Sequence, residues 1–248
     1  ILETTGLAGP GPIASTITAD PVLRHHLRPG TNLTLVDALN ATASRKLQPV
    51  WESQIAVADK LVISKVDLVD QAQLDEVQSL IDSINPAAQQ LGQEALNQAS
   101  DELFGSGPHI DHYSYSEVKK WLGPWRKPPA PDAASHLGDV QSFRLCFDGE
   151  VDWTCFGLWL SMLLNRHGSQ IMRVKGVLHV KGDTRPVIIH GVQHTIHPPE
   201  HIDAWPKNDR ISEMIFITHG ITAKCVTDSL NTFMNAVSNH PSPRIFHA

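Results

Sequence analysis

Residues 58–68 read Ala-Asp-Lys-Leu-Val-Ile-Ser-Lys-Val-Asp-Leu, and the fold class turns on how they are read. Lys60 to Ser64 (KLVIS) is a short, continuous apolar run of strand length. Continuous rather than alternating hydrophobicity marks a strand buried on both faces of a parallel sheet. The run breaks directly into the polar tetrad Ser64-Lys65-Val66-Asp67. Beyond it, Val69 to Ile84 (VDQAQLDEVQSLIDSI) sets Leu74, Val77, Leu80, Ile81 and Ile84 on one face of an amphipathic helix. Before it, Leu47 to Ala58 has helical spacing through Leu47, Val50, Trp51, Ile55 and Ala58, and Thr31 to Leu39 (TNLTLVDAL) reads as a strand ending in Asp37. Strand, helix, strand, helix at this spacing predicts an α/β parallel sheet with flanking helices.

Further out the rhythm changes. Pro124 to Pro131 (PWRKPPAP) holds four prolines in eight residues, none able to donate to a ladder, and reads as a linker. The expected division is a first domain over 1–123, a linker over 124–139 and a second domain over 140–248. In the second part, Val140 to Phe147 alternates as a strand. Val151 to Arg166 is helical, with Phe156, Trp159, Leu160 and Leu163 on its apolar face. Ile171–Val180, Val187–Ile196 and Glu213–Thr218 read as strands, and Thr222 is the expected N-cap of a closing helix to Val237. This order predicts a smaller, ferredoxin-like α+β layer.

Bulk properties narrow the function. The chain has 248 residues and a net charge of -6, which argues against a broad nucleic-acid surface, since phosphate neutralisation needs clustered Lys and Arg. No run approaches the length needed to span a bilayer, and the start has no signal-peptide pattern. Three cysteines, Cys146, Cys155 and Cys225, lie far apart in apolar contexts and read as reduced thiols, which favours the cytoplasm.

Two short motifs carry chemistry. Glu3-Thr4-Thr5-Gly6 follows Ile1-Leu2, which reads as the tail of a buried strand and places Glu3 at its tip. A carboxylate there lies in the crevice where parallel sheets bind ligands. The same letters also fit a strand followed by a Thr-capped helix start. In Ser64-Lys65-Val66-Asp67, the Asp67 carboxylate can accept two hydrogen bonds from guanine, at N1–H and the exocyclic amino group, a pair adenine does not offer. The Lys65 methylene stem can lie along a flat base. Taken alone, the tetrad also fits a surface turn after a strand.

Together and in order, Glu3-Thr4-Thr5-Gly6-Leu7-Ala8, Pro10, Pro12-Ile13, Thr34-Leu35-Val36-Asp37-Ala38 and Ala58 to Leu68 resemble the CobW-type GTPases, whose relatives include the HypB and UreG metal-enzyme maturation factors. Arg173-Val174-Lys175-Gly176, Gly191-Val192-Gln193-His194 and Phe216-Ile217 resemble the C-terminal domain of the CobW branch. The resemblance implies a cytoplasmic P-loop metallochaperone that hydrolyses GTP with Mg²⁺, handles Zn²⁺ or another divalent transition metal, and delivers it to a client protein. It implies Glu3 and Gly6 at the Mg²⁺ and γ-phosphate position, the catalytic end. It implies Ser64, Lys65 and Asp67 at the guanine, with Ser64 in place of the usual Asn. The 248 residues contain neither a GxxGxGKS/T phosphate loop nor a CxCC cluster. Both lie upstream of Glu3 in the family, so the chain reads as N-terminally shortened, with very weak GTP binding expected of it alone.

Fourteen histidines is a high count, and His190, His194, His197 and His201 crowd one segment. Within a strand, His190 and His194 share a face and could hold Zn²⁺ or Ni²⁺. No carboxylate or thiol completes an obvious ligand set, so the segment also reads as a polar sheet face meeting a client or the GTPase domain. Two functions stay open: a GTP-dependent metallochaperone, and a non-catalytic client- or metal-binding module. An ATP-using enzyme is disfavoured by Asp67. The metal, the client and homo-oligomerisation are left open.

Overall fold

The computed structural model describes residues 1–27, 30–97, 103–104, 118, 122, 140–205, 210–237 and 244–247. The chain divides into two compact units, residues 1–110 with 123–138 and residues 111–122 with 139–248. The proline-rich stretch over 124–139 lies outside the described residues.

The first unit runs α1 (Pro10–Ala19), α2 (Leu23–His26), β1 (Leu33–Asp37), α3 (Ala41–Leu47), α4 (Trp51–Val57), β2 (Lys60–Ser64), a 3₁₀ turn (Val66–Leu68), α5 (Gln71–Ile84) and β3 (Gln89–Gly92). The sheet order is β1-β2-β3, with both pairings parallel. The continuous apolar run forms the central strand, and Leu61, Val62 and Ile63 are all buried. α5 starts at a reciprocal cap: Gln73 N–H donates to Asp70 Oδ1 at 2.8 Å and Asp70 N–H donates to Gln73 Oε1 at 3.1 Å. It buries Val77, Ile81 and Ile84.

Two expectations change here, and one strand is added. Of the helix expected over Leu47–Ala58 only Trp51–Val57 forms, and Leu47 instead ends α3, because the residue before Pro49 is driven out of the helical region. Gln48 sits at φ -118°, ψ 103°, ending α3. Leu47 is consequently exposed while Trp51 and Ile55 are buried. Ile1 and Leu2 are exposed and belong to no strand, so Glu3 does not sit at a strand tip. β3 also appears. Its Gln-Gln-Leu-Gly sequence carries no strand periodicity, and it forms because the edge of β2 supplies the ladder.

The end of α4 is held from a distance. Asn85, 1% exposed, donates its side-chain amide to the carbonyls of Ile55, Ala56 and Ala58 at 2.9, 3.2 and 3.0 Å. These carbonyls lie where a helix leaves its last acceptors unpaired. α4 is thereby a firm strut leading into β2.

The second unit runs β4 (Val140–Asp148), α6 (Trp153–His167), β5 (Ile171–Leu178), β6 (Val187–Val192), β7 (Thr195–Ile196), β8 (Glu200–His201), β9 (Ser212–His219), α7 (Ala223–Val237) and β10 (Arg244–His247). The antiparallel sheet has the order β10-β4-β9-β5-β6-β7, with β8 also on β6. Without β6 to β8, the order β10-β4-β9-β5 is the ferredoxin-like arrangement, and β6 to β8 are an insertion extending its edge. Phe143, Leu145, Val174 and Phe216 share one core with Phe156, Trp159 and Leu163 of α6 and Val226, Leu230 and Met234 of α7. Both helices are capped by side chains, with Cys155 N–H on Asp152 and Cys225 N–H on the expected Thr222.

Candidate guanine-nucleotide site at the strand tips

β1 and β2 end together, with Asp37 opposite Ser64, and Ile63 of β2 stands opposite Gly92 of β3. Three strand ends therefore present Asp37, the Ser64–Asp67 tetrad and Gln93 along one rim, the end at which open parallel sheets bind ligands. The Ser64 hydroxyl donates to Val36 O at 3.2 Å and braces the turn against β1. Lys65 takes the left-handed conformation, φ 58° and ψ 30°, which only a local tether justifies for a side chain of this kind. Two tethers are present. Its N–H donates to Gln93 Oε1 at 3.1 Å, and its ammonium pairs with Asp37 Oδ2 at 2.7 Å.

Asp37 is the hub of this rim. It also accepts from Leu39 N–H at 3.0 Å, Asn40 N–H at 3.3 Å and the Asn40 amide at 2.9 Å. Burial pushes its carboxyl up, but the bonds from Lys65 and Asn40 more than offset this and hold it below the ordinary carboxylate value. Asp67 lies exposed in the 3₁₀ turn and accepts from no other side chain or amide among the described residues. Its carboxylate is available to a base.

Glu3 and Gly6 are exposed and reach the sheet indirectly. Ala8 N–H closes a turn on Thr5 O at 3.0 Å. Gln54 of α4 donates its amide to Gly6 O at 3.0 Å and Ala8 O at 3.1 Å. The structure thus gathers Ser64, Lys65 and Asp67 on one rim and ties the Glu3–Gly6 loop to the strut beside it. Sequence reading missed Asp37, Gln93 and Gln54 as site residues. Asp37 had a signal, as an acid at a strand end. The two glutamines had none, being neutral residues in unremarkable contexts.

The histidines fall differently from expectation. β6 stops at Val192, and Gln193 at φ 52° turns the chain, so His194 leaves the strand and its Nδ1 lies 3.1 Å from Leu164 O. His190 instead stacks on His197, centroids 4.1 Å apart and rings 5° from parallel, with His197 N–H on His190 O at 3.0 Å. Face-to-face rings cannot chelate one ion. Among the described residues no three His, Cys, Asp or Glu side chains converge as metal ligands. The same sheet face carries buried Arg173 and Lys175 and the Arg144–Glu213 pair.

Residues 1–92 match the CobW/HypB/UreG nucleotide-binding domain, and residues 140–234 match the C-terminal domain of the cobalamin synthesis protein CobW. The chain belongs to the CobW family. Among its relatives is the zinc chaperone YjiA of Escherichia coli K12, 24% identical over 218 residues, which are 88% of this chain and 65% of that protein. Another is the zinc-regulated GTPase metalloprotein activator 1 of Schizosaccharomyces pombe, 34% identical over 86 residues, 34% of this chain and 21% of that protein. This CobW-family chain therefore spans less than two thirds of either relative. In fold it is similar to the zinc-bound YjiA GTPase from E. coli, with a TM-score of 0.69 at 20% identity over 92% of this chain and 68% of that one. A zinc-bound triple mutant of YjiA gives a TM-score of 0.71 with the same coverage. No described helix is long and apolar enough to cross a membrane.

Proposed function

We propose that this chain supplies the base-reading rim and the metal-and-phosphate loop of a GTPase that delivers a divalent metal to client proteins. The observation that carries the reading is the rim itself. Asp67 is unoccupied by other described groups, beside a Lys65 locked in a left-handed turn by Asp37 and Gln93. Asp67 accepts the guanine N1–H and amino group, and the Lys65 stem lies along the base. Gly6 N–H donates to the γ-phosphate. Mg²⁺ takes one or two carboxylates and completes its shell with phosphate and water. The exposed Glu3 would hold the ion as the single carboxylate. When bound, the ion neutralises phosphate charge.

Zinc, which stands in the names of two relatives, is the cargo of this reading. It is not assigned to His190 and His194, whose rings face different neighbours. With no GxxGxGKS/T loop among its 248 residues, the chain alone lacks the backbone cradle and lysine that hold the phosphates. Its own affinity for GTP is therefore weak, and it does not hydrolyse GTP unaided.

The test is a titration of the 248-residue chain with Mg²⁺–GTP and Mg²⁺–ATP, followed by amide resonances. At millimolar nucleotide, GTP shifts Lys65, Asp67 and Gln93, ATP does not, and Asp67→Ala removes the response. Equal responses to GTP and ATP refute base reading. Saturation at low-micromolar GTP refutes the weak affinity.

A further inference from the structure

We propose that Gln54 is a positioning residue, a latch that fixes the Glu3–Gly6 loop to the strut running into the base-reading strand. The functional part of this inference rests on the nucleotide reading above; the latch itself does not. Gln54 lies 48 residues from Gly6, yet its side-chain amide donates to both Gly6 O and Ala8 O. These bonds straddle the residue after Gly6, so they fix the direction of the loop as well as its distance. Its own backbone is held as well. Gln54 N–H donates to Val50 O at 2.9 Å, and Gln54 O accepts the Thr34 hydroxyl of β1 at 3.2 Å.

The C-terminal end of the same helix, beginning at the residue after Gln54, is pinned by Asn85 through three carbonyls. One side of the latch is therefore rigid. The other is a surface loop with one internal turn bond and exposed Glu3, Thr4, Thr5 and Gly6. Three residues after α4 ends, β2 begins and runs to Ser64, Lys65 and Asp67. A two-pronged bond from this strut sets where the Glu3 carboxylate and the Gly6 amide stand relative to the base-reading turn. Pre-organisation of this kind removes the ordering cost that a bound nucleotide would otherwise bear. A glutamine is suited to the task because a neutral amide offers two N–H donors to two carbonyls, while a carboxylate of the same shape offers none.

Gln54→Glu, nearly isosteric, is the decisive substitution, and Gln54→Met controls for the loss of side-chain volume. In the 248-residue chain without nucleotide, exchange of the Ala8 amide in Gln54→Glu and Gln54→Met rises roughly tenfold, as expected for two lost bonds, while exchange at Leu61, Val62 and Ile63 is unchanged. With millimolar Mg²⁺–GTP, the shifts at Lys65 and Asp67 persist in both variants, and those at Glu3 to Gly6 fall by half or more. Unchanged Ala8 exchange in Gln54→Glu overturns the latch, as does an equal rise at Leu61 to Ile63, which would mark general destabilisation. Failure of the parent chain to respond at Lys65 and Asp67 overturns the nucleotide reading alone, because the exchange measurement requires no ligand.

Discussion

Replacing Asn85 by alanine removes one buried amide and leaves the C-terminal carbonyls of α4 without it. Ile55 O keeps the Ala58 N–H at 3.2 Å, so the loss falls on Ala56 O and Ala58 O. A buried acceptor deprived of its donor costs about 1–3 kcal/mol, so two of them at 1% exposure of the side chain amount to about 3 kcal/mol. With a urea dependence of ~2 kcal/mol/M, the midpoint falls by about 1.5 M. Because the chain has two units, the unfolding is best followed on the amides of Leu61, Val62 and Ile63, which report the first unit by itself. Asn85→Asp sharpens the test. At about pH 7 it points an anion at three carbonyls, which exceeds the alanine cost, and burial raises the pKa of the introduced carboxyl. A raised folded-state value means stability held at low pH and lost as pH rises, so the deficit of Asn85→Asp widens between about pH 5 and pH 7. An alanine midpoint within ~0.3 M of the parent, or an aspartate deficit that does not grow with pH, would show that the strut is not held this way.

Two further expectations come from the rim. Asp37→Asn weakens the pair with a half-exposed Lys65 and costs under about 1 kcal/mol at neutral pH. Because the Asp37 carboxyl is held below 3.8 when folded, that difference is present above 3.8 and disappears as pH falls through the folded value; acid titration of both proteins checks it, and a difference that grows in acid contradicts it. Lys65→Gly relieves the left-handed backbone and leaves stability equal or up to about 1 kcal/mol higher. A stability loss beyond ~1 kcal/mol would mean that the tethers outweigh the conformational strain.

Much of the fold was legible along the chain. Lys60–Ser64 is a strand with the limits its apolar run shows, and the Asp70–Gln73 cap starts α5 within two residues of the expected position. The single helix over Leu47–Ala58 was misread because its apolar spacing outweighed Pro49, whose effect on Gln48 is steric and strictly local. The expected His190–His194 pair assumed an unbroken strand. Gln193 turns with a positive φ that nothing in its own chemistry announces.

The sequence by itself determined most of the element types and the parallel class of the first sheet, and it supplied the residues proposed for base reading. Each of these depends on periodicity or residue type within one element, and that is readable over a few residues. Tertiary structure alone decided that Lys65 answers to Asp37 and Gln93, each 28 residues away, and that Gln54 grips a loop 48 residues before it. A polar side chain finds its partner only once strand order and register bring two distant backbones together, and no local pattern encodes that meeting.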